Sequence, residues 1–196
     1  MIYTKMQGVT IMSRVRILWI TQSAVFIALL VSAQAVTRPL GQFVTGSCVN
    51  FILVSACILA GLPSAVVVAA VSPIFAFLII GVPTFPVLIP IMMVGNVVLV
   101  VVIHIVSEKA FANSAHRSYI RACAAVLAGA VTKFLVLWVG IVHIALSLIP
   151  GIKQPQIDAL SLTFSWPQLV TALIGSSLAV TVMPKLKKAL KFTERN

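Results

Sequence analysis

The feature that most constrains the fold is the largely apolar stretch from residue 48 to residue 81, which Gly61-Leu-Pro-Ser64 divides into two parts. One helix of that length is too long for a single crossing of a hydrocarbon layer about 30 Å thick. Glycine commonly ends helices, and Pro63 disfavours helical continuation. The stretch therefore predicts two membrane-crossing helices joined by a tight turn.

Similar apolar runs, separated by charged residues, prolines or glycines, occur along the whole chain of 196 residues. Hydrophobic residues make up 61% of the chain and charged residues only 9%, whereas about a quarter of the residues in soluble domains are charged. The sequence thus predicts an all-α polytopic membrane protein with six transmembrane helices in a single domain, residues 1–196. The predicted spans are residues 17–36, 48–61, 64–81, 87–106, 120–148 and 166–184. The second span is short, so we expect it to tilt little or to cross incompletely.

The distribution of basic residues predicts the orientation. The net charge is +11, from 14 Lys and Arg against three acids. Six spans put both termini on one side, and that side also holds the basic loop after span four, whereas the opposite side holds only Arg38 and Lys153. The positive-inside rule then places both termini in the cytoplasm, in what we expect to be a bacterial plasma membrane. Because the cations lie at hydrophobic boundaries, they indicate lipid headgroups rather than nucleic acid as counter-charge.

The first span could be mistaken for a signal peptide, because it ends in Ser32-Ala-Gln-Ala35, which resembles a cleavage site. The run 17–36 is long enough to span, which favours an uncleaved helix. The three cysteines, Cys48, Cys57 and Cys123, lie in or beside apolar runs without metal-ligand spacing. They are interpreted as small buried hydrophobes, and neither a metal nor another cofactor is predicted.

Lys133 is a cation inside an otherwise apolar run, "GAVTKFLVLWVG". On a helical projection it shares one line with small residues, while bulky apolar residues occupy the opposite face, so it should face protein or a cavity rather than lipid. The line consists of Ala122, Ala125, Gly129, Lys133, Val136, Gly140 and His143. At 1.5 Å per residue, Lys133 lies roughly 18 Å from Arg121, at or just beyond the midplane toward the outside.

The sequence gives this lysine no obvious counter-ion, since Glu108, Asp158 and Glu194 all fall in loops or at a terminus. Three explanations are open. Asp158 could fold inward from the outer segment 150–165, which could also act as a lid; the lysine could extend to the outer surface; or its counter-ion could be a ligand. The ligand explanation is favoured here, and the expected ligand is an anion, most simply a carboxylate.

Other polar residues are predicted at the same depth or nearer the outer surface, where they could contact a small polar ligand. They are Asn50, Asn96, Gln34, Arg38, Gln42 and His143. Met92, Met93 and Phe75 are expected to contact an apolar part of the ligand.

Several motifs are absent. No predicted span contains Asp or Glu, there is no phosphate-binding Gly-x-x-x-x-Gly-Lys-[Ser/Thr] loop, and no hydrolase motif occurs. We therefore expect a non-enzymatic subunit of a larger assembly. Two alternatives stay open: a stand-alone secondary carrier or channel for a small anion, and a ligand-free membrane scaffold in which Lys133 pairs with Asp158.

The pattern resembles the S components, the substrate-binding membrane subunits of energy-coupling factor (ECF) type ABC vitamin transporters. The resemblance covers the whole chain in size, span number and orientation. Its more specific parts are "GQFVTGSCVNFIL" (41–53), "LIPIMMVGNVVLVV" (88–101) and the stripe of Ala24, Ala28 and Ser32 in the first span. It implies high-affinity capture of a scarce vitamin or precursor, and delivery with a membrane coupling subunit and two ATPases. It also implies that the stripe docks to that coupling subunit. The pocket residues suggest lipoate, biotin or pantothenate, in no order.

Overall fold

The computed structural model describes the backbone of residues 2–108 and 115–193, and the side-chain environment of 16–107 and 120–189. These residues form α-helices joined by short turns, with no strand in the described ranges. The helices are α1 (Ile2–Thr37), α2 (Gln42–Ala60), α3 (Leu62–Ile80), α4 (Ile89–Glu108), α5 (Ala115–Leu137), α6 (Gln154–Thr163) and α7 (Trp166–Thr193).

Within the described residues, six helical segments are long and apolar enough to cross a membrane. This confirms the predicted all-α fold with six transmembrane helices. The turn between the second and third helices also lies where the sequence predicts it. Gly61 there adopts a positive φ of 88°, a conformation that L side chains rarely adopt, and Pro63 lies in the first turn of α3.

Helix α2 begins at Gln42, earlier than the predicted start at residue 48, and its 19 residues make it about 28 Å long. It is therefore long enough to cross the bilayer, and the expectation of a short second span was wrong. The polar residues of its first turns do not prevent helix formation. The Thr45 hydroxyl, for example, donates to the carbonyl oxygen of Gly41 at 3.1 Å.

Helix α5 continues as a π-helix over Trp138–Ala145. A π-helix has i→i+5 hydrogen bonds, so each residue turns the chain by less than in an α-helix. Residues beyond Trp138 consequently leave the angular line that an α-helical projection assigns to them.

The outer segment between the fifth and last spans contains a helix, α6, followed directly by α7. Phe164 at the α6–α7 junction is buried in a small apolar cluster with Leu88, Leu137 and Ile141. This cluster holds the junction against the ends of α4 and α5. A larger apolar cluster, formed mainly by α2, α3 and α4, fills the rest of the bundle.

Helices α2 and α7 pack against each other more extensively than any other pair in the described chain. Two glycines allow this close approach. A Cβ on Gly175 would lie 2.3 Å from the carbonyl oxygen of Ser47, and a Cβ on Gly46 would lie 2.9 Å from Cγ2 of Thr171. The contact between α2 and α7 fixes the position of Asn50, which lies on the α2 side of it.

Candidate binding site

Lys133 is buried in the bundle, with only 3% of its surface exposed. Its Nζ donates hydrogen bonds to Oδ1 of Asn50 on α2, at 2.6 Å, and to Oδ1 of Asn96 on α4, at 2.7 Å. The sequence predicts that these three residues lie near one another, and the structure brings them into direct contact. An ammonium group carries three N–H donors, and these two bonds use two of them.

Asn50 is oriented by the backbone of its own helix and by α7. Its Nδ2 donates to the carbonyl oxygen of Gly46, one turn earlier, at 2.9 Å, and makes a longer contact of 3.5 Å with the hydroxyl of Thr171. Thr171 in turn donates to the carbonyl oxygen of Gln168 at 3.2 Å. Because the amide nitrogen is held in this way, Oδ1 of Asn50 points toward Lys133.

Lys133 and Asn96 lie in the wall of a cavity of about 200 Å³. The polar part of the wall comprises Gln34, Gln42, Thr45, Ser72, Thr84, Asn96, Lys133, Thr163 and Gln168. Its apolar part includes Val49, Met92, Leu137, Leu160 and Phe164. The cavity therefore lies between the two apolar clusters, and the α6–α7 junction forms one of its walls.

A second cavity of about 200 Å³ adjoins the first, and Gln34, Gln42, Thr45 and Val82 line both. Arg38 lies in its wall, on the predicted outer side. The Arg38 side chain is exposed, and Nη1 donates to the carbonyl oxygen of Ile80 at 2.6 Å, which joins the α1–α2 turn to the end of α3. The two cavities together extend from the buried lysine toward Arg38, at the end of the bundle that the sequence predicts to face outside.

The structure contradicts two of the three explanations offered for Lys133. Asp158 is exposed on α6, where it accepts a hydrogen bond from Nε2 of Gln154 at 2.9 Å, so it is not the partner of the lysine. With 3% exposure the lysine does not reach the outer surface either. Among the described side chains, its hydrogen-bond partners are two neutral amide oxygens. These are dipoles and do not neutralise a full charge.

Gln34, Gln42 and Met92 line the inner cavity, and Arg38 lines the outer one. Oδ1 of each asparagine faces the lysine, whereas Oε1 of Gln34 is buried without a hydrogen-bond partner among the described residues. The side-chain carbonyl oxygen of Gln34 could therefore accept a hydrogen bond from a ligand in the cavity.

Four residues that were predicted to contact a ligand line neither cavity: Asn50, which instead contacts Lys133, and His143, Phe75 and Met93. His143 is exposed, lies outside both cavities and packs edge-on against Trp138 with ring centroids 4.6 Å apart. His143 lies in the π-helical segment, beyond the point where the α-helical projection holds, so it leaves the helix line that the projection gave it. Phe75 is 39% exposed, and neither Phe75 nor Met93 lines the cavities.

Sequence reasoning missed five polar residues of the inner wall: Thr45, Ser72, Thr84, Thr163 and Gln168. Thr45 lies in the block 41–53, but the predicted second span begins after it, at residue 48. Gln168 follows Trp166 and Pro167 at the start of an apolar run. A polar residue so near the start of a span could have indicated a place in the cavity wall.

The predicted docking residues lie on one exposed face. Ala24, Ala28 and Ser32 are all exposed on α1, while Leu30 and Val31 of the same helix are buried. The stripe is thus not used for packing within the described chain. Among the described residues, no group of His, Cys, Asp or Glu is arranged to hold a metal ion.

In comparisons with known proteins, no protein-family model, no curated protein and no solved structure matched the chain. The fold and site define a six-span α-helical membrane protein with a buried lysine in the wall of a polar cavity.

Proposed function

We propose that the chain is the membrane-embedded substrate-binding subunit of an ECF-type importer, and that it captures a small carboxylate-bearing vitamin or precursor from outside the cell. The observation that carries this proposal is the environment of Lys133. Its ammonium is buried at a cavity wall, and its partners among the described side chains are the neutral amides of Asn50 and Asn96.

A buried charge is costly unless an opposite charge and hydrogen bonds compensate for it. Two amide oxygens supply hydrogen bonds but no negative charge. A ligand carboxylate in the inner cavity would accept the third N–H of Lys133 and neutralise it. Hydrogen bonds to charged groups contribute about 1.5–3 kcal/mol, so this contact alone would account for a large preference for anions.

The cavity walls support a small amphipathic ligand. Each cavity holds about 200 Å³, and small-molecule sites are typically about 300–1,000 Å³, so a ligand that extends through both cavities fits better than one confined to either. Polar contacts would come from Gln34 and Gln42, and apolar contacts from Met92 and Leu160. Lipoate, biotin and pantothenate each combine a carboxylate with an elongated body and are the compounds to test first.

Two features support the assignment to a multi-subunit importer. The chain has no phosphate-binding loop, so the energy for transport would come from partner ATPases acting through a membrane coupling subunit. The exposed stripe of Ala24, Ala28 and Ser32 offers a smooth surface where another helix can approach closely.

The proposal is tested by mass spectrometry of small molecules that remain bound to the protein after purification in mild detergent. We expect one carboxylate-bearing compound at a ratio near one per chain in the wild type and its loss in Lys133→Gln. Lys153→Ala is the matched control, because it removes an exposed cation at the outer end and should retain the compound. Retention in Lys133→Gln, or a neutral compound in the wild type, would contradict the proposal.

The stand-alone carrier is separated from the subunit by transport in proteoliposomes. The purified chain alone should not accumulate ligand, whereas a stand-alone carrier or channel would equilibrate it without any ATPase.

One observation favours a ligand-free scaffold as the second candidate: Lys133 already has two hydrogen-bond partners inside the protein. In a scaffold, Lys133→Gln would lower the stability of the fold and leave uptake of all three vitamins unchanged. In the proposed subunit, uptake is lost.

A further inference from the structure

A cavity of about 570 Å³ lies at the other end of the bundle and takes no part in the proposed function. It lies where α2, α4 and α7 end, on the side that the basic residues assign to the cytoplasm. Its walls are formed by Cys57, Ile58, Gly61, Ile103, His104, Ser107, Val180, Pro184, Lys187 and Lys188. Nζ of Lys187 donates to the carbonyl oxygen of Ile58 at 2.5 Å, which joins the end of α7 to the last turns of α2.

The lining changes character with depth along the helices. Ile103 and Val180 lie farther from the helix ends and give an inner wall that is apolar apart from His104, whereas Ser107, Lys187 and Lys188 lie nearer the ends and give a rim of hydrogen-bond donors. An apolar wall beneath a cationic rim matches a molecule with a hydrocarbon part and an anionic head.

The charge of the rim selects the head group. Lys187 and Lys188 are both exposed, and none of the described residues that line the cavity is acidic. Lys187 keeps two N–H donors beyond the one given to Ile58, and Lys188 offers three. Phosphate oxygens accept such bonds, and basic pockets between transmembrane helices on the cytoplasmic side are suited to anionic lipid heads.

We propose that this cavity binds an anionic phospholipid, with its phosphate between Lys187, Lys188 and Ser107 and the start of an acyl chain against Ile103 and Val180. The site is separate from the Lys133 cavity, and it holds whether or not the chain is an importer subunit. Bound lipid would join the ends of three helices, so it should also stabilise the bundle.

Lys188 is the better position for the test, since Lys187 also holds the end of α2. Lys188→Ala removes one rim cation, and Lys185→Ala removes a cation from the same exposed stretch of α7 that does not line the cavity. Each variant is reconstituted in phosphatidylcholine nanodiscs, and binding of added phosphatidylglycerol is measured by native mass spectrometry together with the shift in Tm.

The wild type should bind phosphatidylglycerol in preference to phosphatidylcholine, with a rise in Tm. Lys188→Ala should bind it about fivefold more weakly, and Lys185→Ala within about twofold of the wild type. Lys188→Glu should lose both the preference and the rise in Tm. A Val180→Phe change, which fills the inner wall without altering charge, should weaken lipid binding.

Three outcomes overturn the inference. Equal losses in Lys185→Ala and Lys188→Ala would indicate general surface charge rather than a site. Full competition by inorganic phosphate or glycerol 3-phosphate at equal concentration would indicate a site for a soluble anion. No preference for phosphatidylglycerol over phosphatidylcholine in the wild type would exclude anionic lipid as the occupant.

Discussion

Nζ of Lys133 on α5 lies 2.6 Å from Oδ1 of Asn50 on α2, a contact between residues 83 positions apart in the chain. Asn50 is in turn held by Gly46 and Thr171, so the lysine is positioned by a network that begins in the α2–α7 packing. The site thus depends on the part of the bundle where the helices approach most closely. The roles of the individual residues can be separated by substitution.

Asn50 and Asn96 should differ in what they control. Asn50 bonds to Lys133, Gly46 and Thr171 but does not line the cavity, whereas Asn96 bonds to Lys133 and does line it. Asn50→Ala should therefore lower the free energy of unfolding by about 1–3 kcal/mol, measured by denaturant titration in detergent. Asn96→Ala should have a smaller effect on stability and a larger one on ligand affinity. A larger loss of stability in Asn96→Ala than in Asn50→Ala, with a larger loss of affinity in Asn50→Ala, would contradict these roles for the two asparagines.

Gly175→Ala should disturb the contact between α2 and α7. Its Cβ would meet the carbonyl oxygen of Ser47 at 2.3 Å and the backbone nitrogen of Phe51 at 2.7 Å, and backbone atoms cannot move without shifting the helix. We expect a loss of about 1–3 kcal/mol in the free energy of unfolding.

Gly95→Ala is the matched control for that change. The nearest atom to its Cβ would be Cδ2 of Leu137 at 2.9 Å, the end of a side chain that can rotate. Its effect on unfolding should be clearly smaller. Equal effects at the two glycines would argue against a rigid backbone contact at Gly175.

His143→Ala should leave ligand binding unchanged. The imidazole is exposed, lies outside both cavities and contacts the ring of Trp138. We expect an affinity within about twofold of the wild type and a small loss of stability from the lost ring contact, about 0.5–1.5 kcal/mol. A large loss of affinity in a titration with the co-purified ligand would restore His143 to the site.

Ala28→Trp should separate capture from delivery. Ala28 is exposed on α1, so the indole would project from the bundle and leave the fold and ligand binding intact, but it would block close approach of a partner helix. Uptake by cells should be lost. Leu29→Trp is the control, because Leu29 is 51% exposed and points about 100° away from Ala28 around the same helix. This variant should keep uptake. Normal uptake in Ala28→Trp would show that the stripe is not a docking surface.

The break at Gly61 and the grouping of Lys133, Asn50 and Asn96 could be predicted from the sequence. Both rest on local and strongly constrained signals: a glycine and a proline inside an apolar stretch, and polar residues that a lipid environment confines to the protein interior. The depth of each residue along its helix was enough to place the three near one another.

The rest depends on backbone geometry and packing that periodicity does not contain. The π-helical segment places His143 away from the site, and no residue pattern in the sequence predicted a π-helix there. Hydropathy did not reveal that α2 begins at Gln42, because its first turns contain polar and small residues. Thr45 is polar because it faces a cavity, and Gly46 is small because it packs against α7. The ten-residue helix α6 lies in a segment predicted to be a loop, because polar and apolar residues are mixed along it.

The central claim is that a ligand carboxylate neutralises the ammonium of Lys133. Its most direct test compares the binding of lipoate, biotin and pantothenate with that of their neutral analogues lipoamide, biotinamide and pantothenyl alcohol, by calorimetry on the wild type and on Lys133→Gln. One acid should bind the wild type about 10- to 150-fold more tightly than its neutral analogue, and that difference should vanish in the variant. Equal affinity of acid and neutral analogue in the wild type, or a difference that persists without the lysine, would contradict the account.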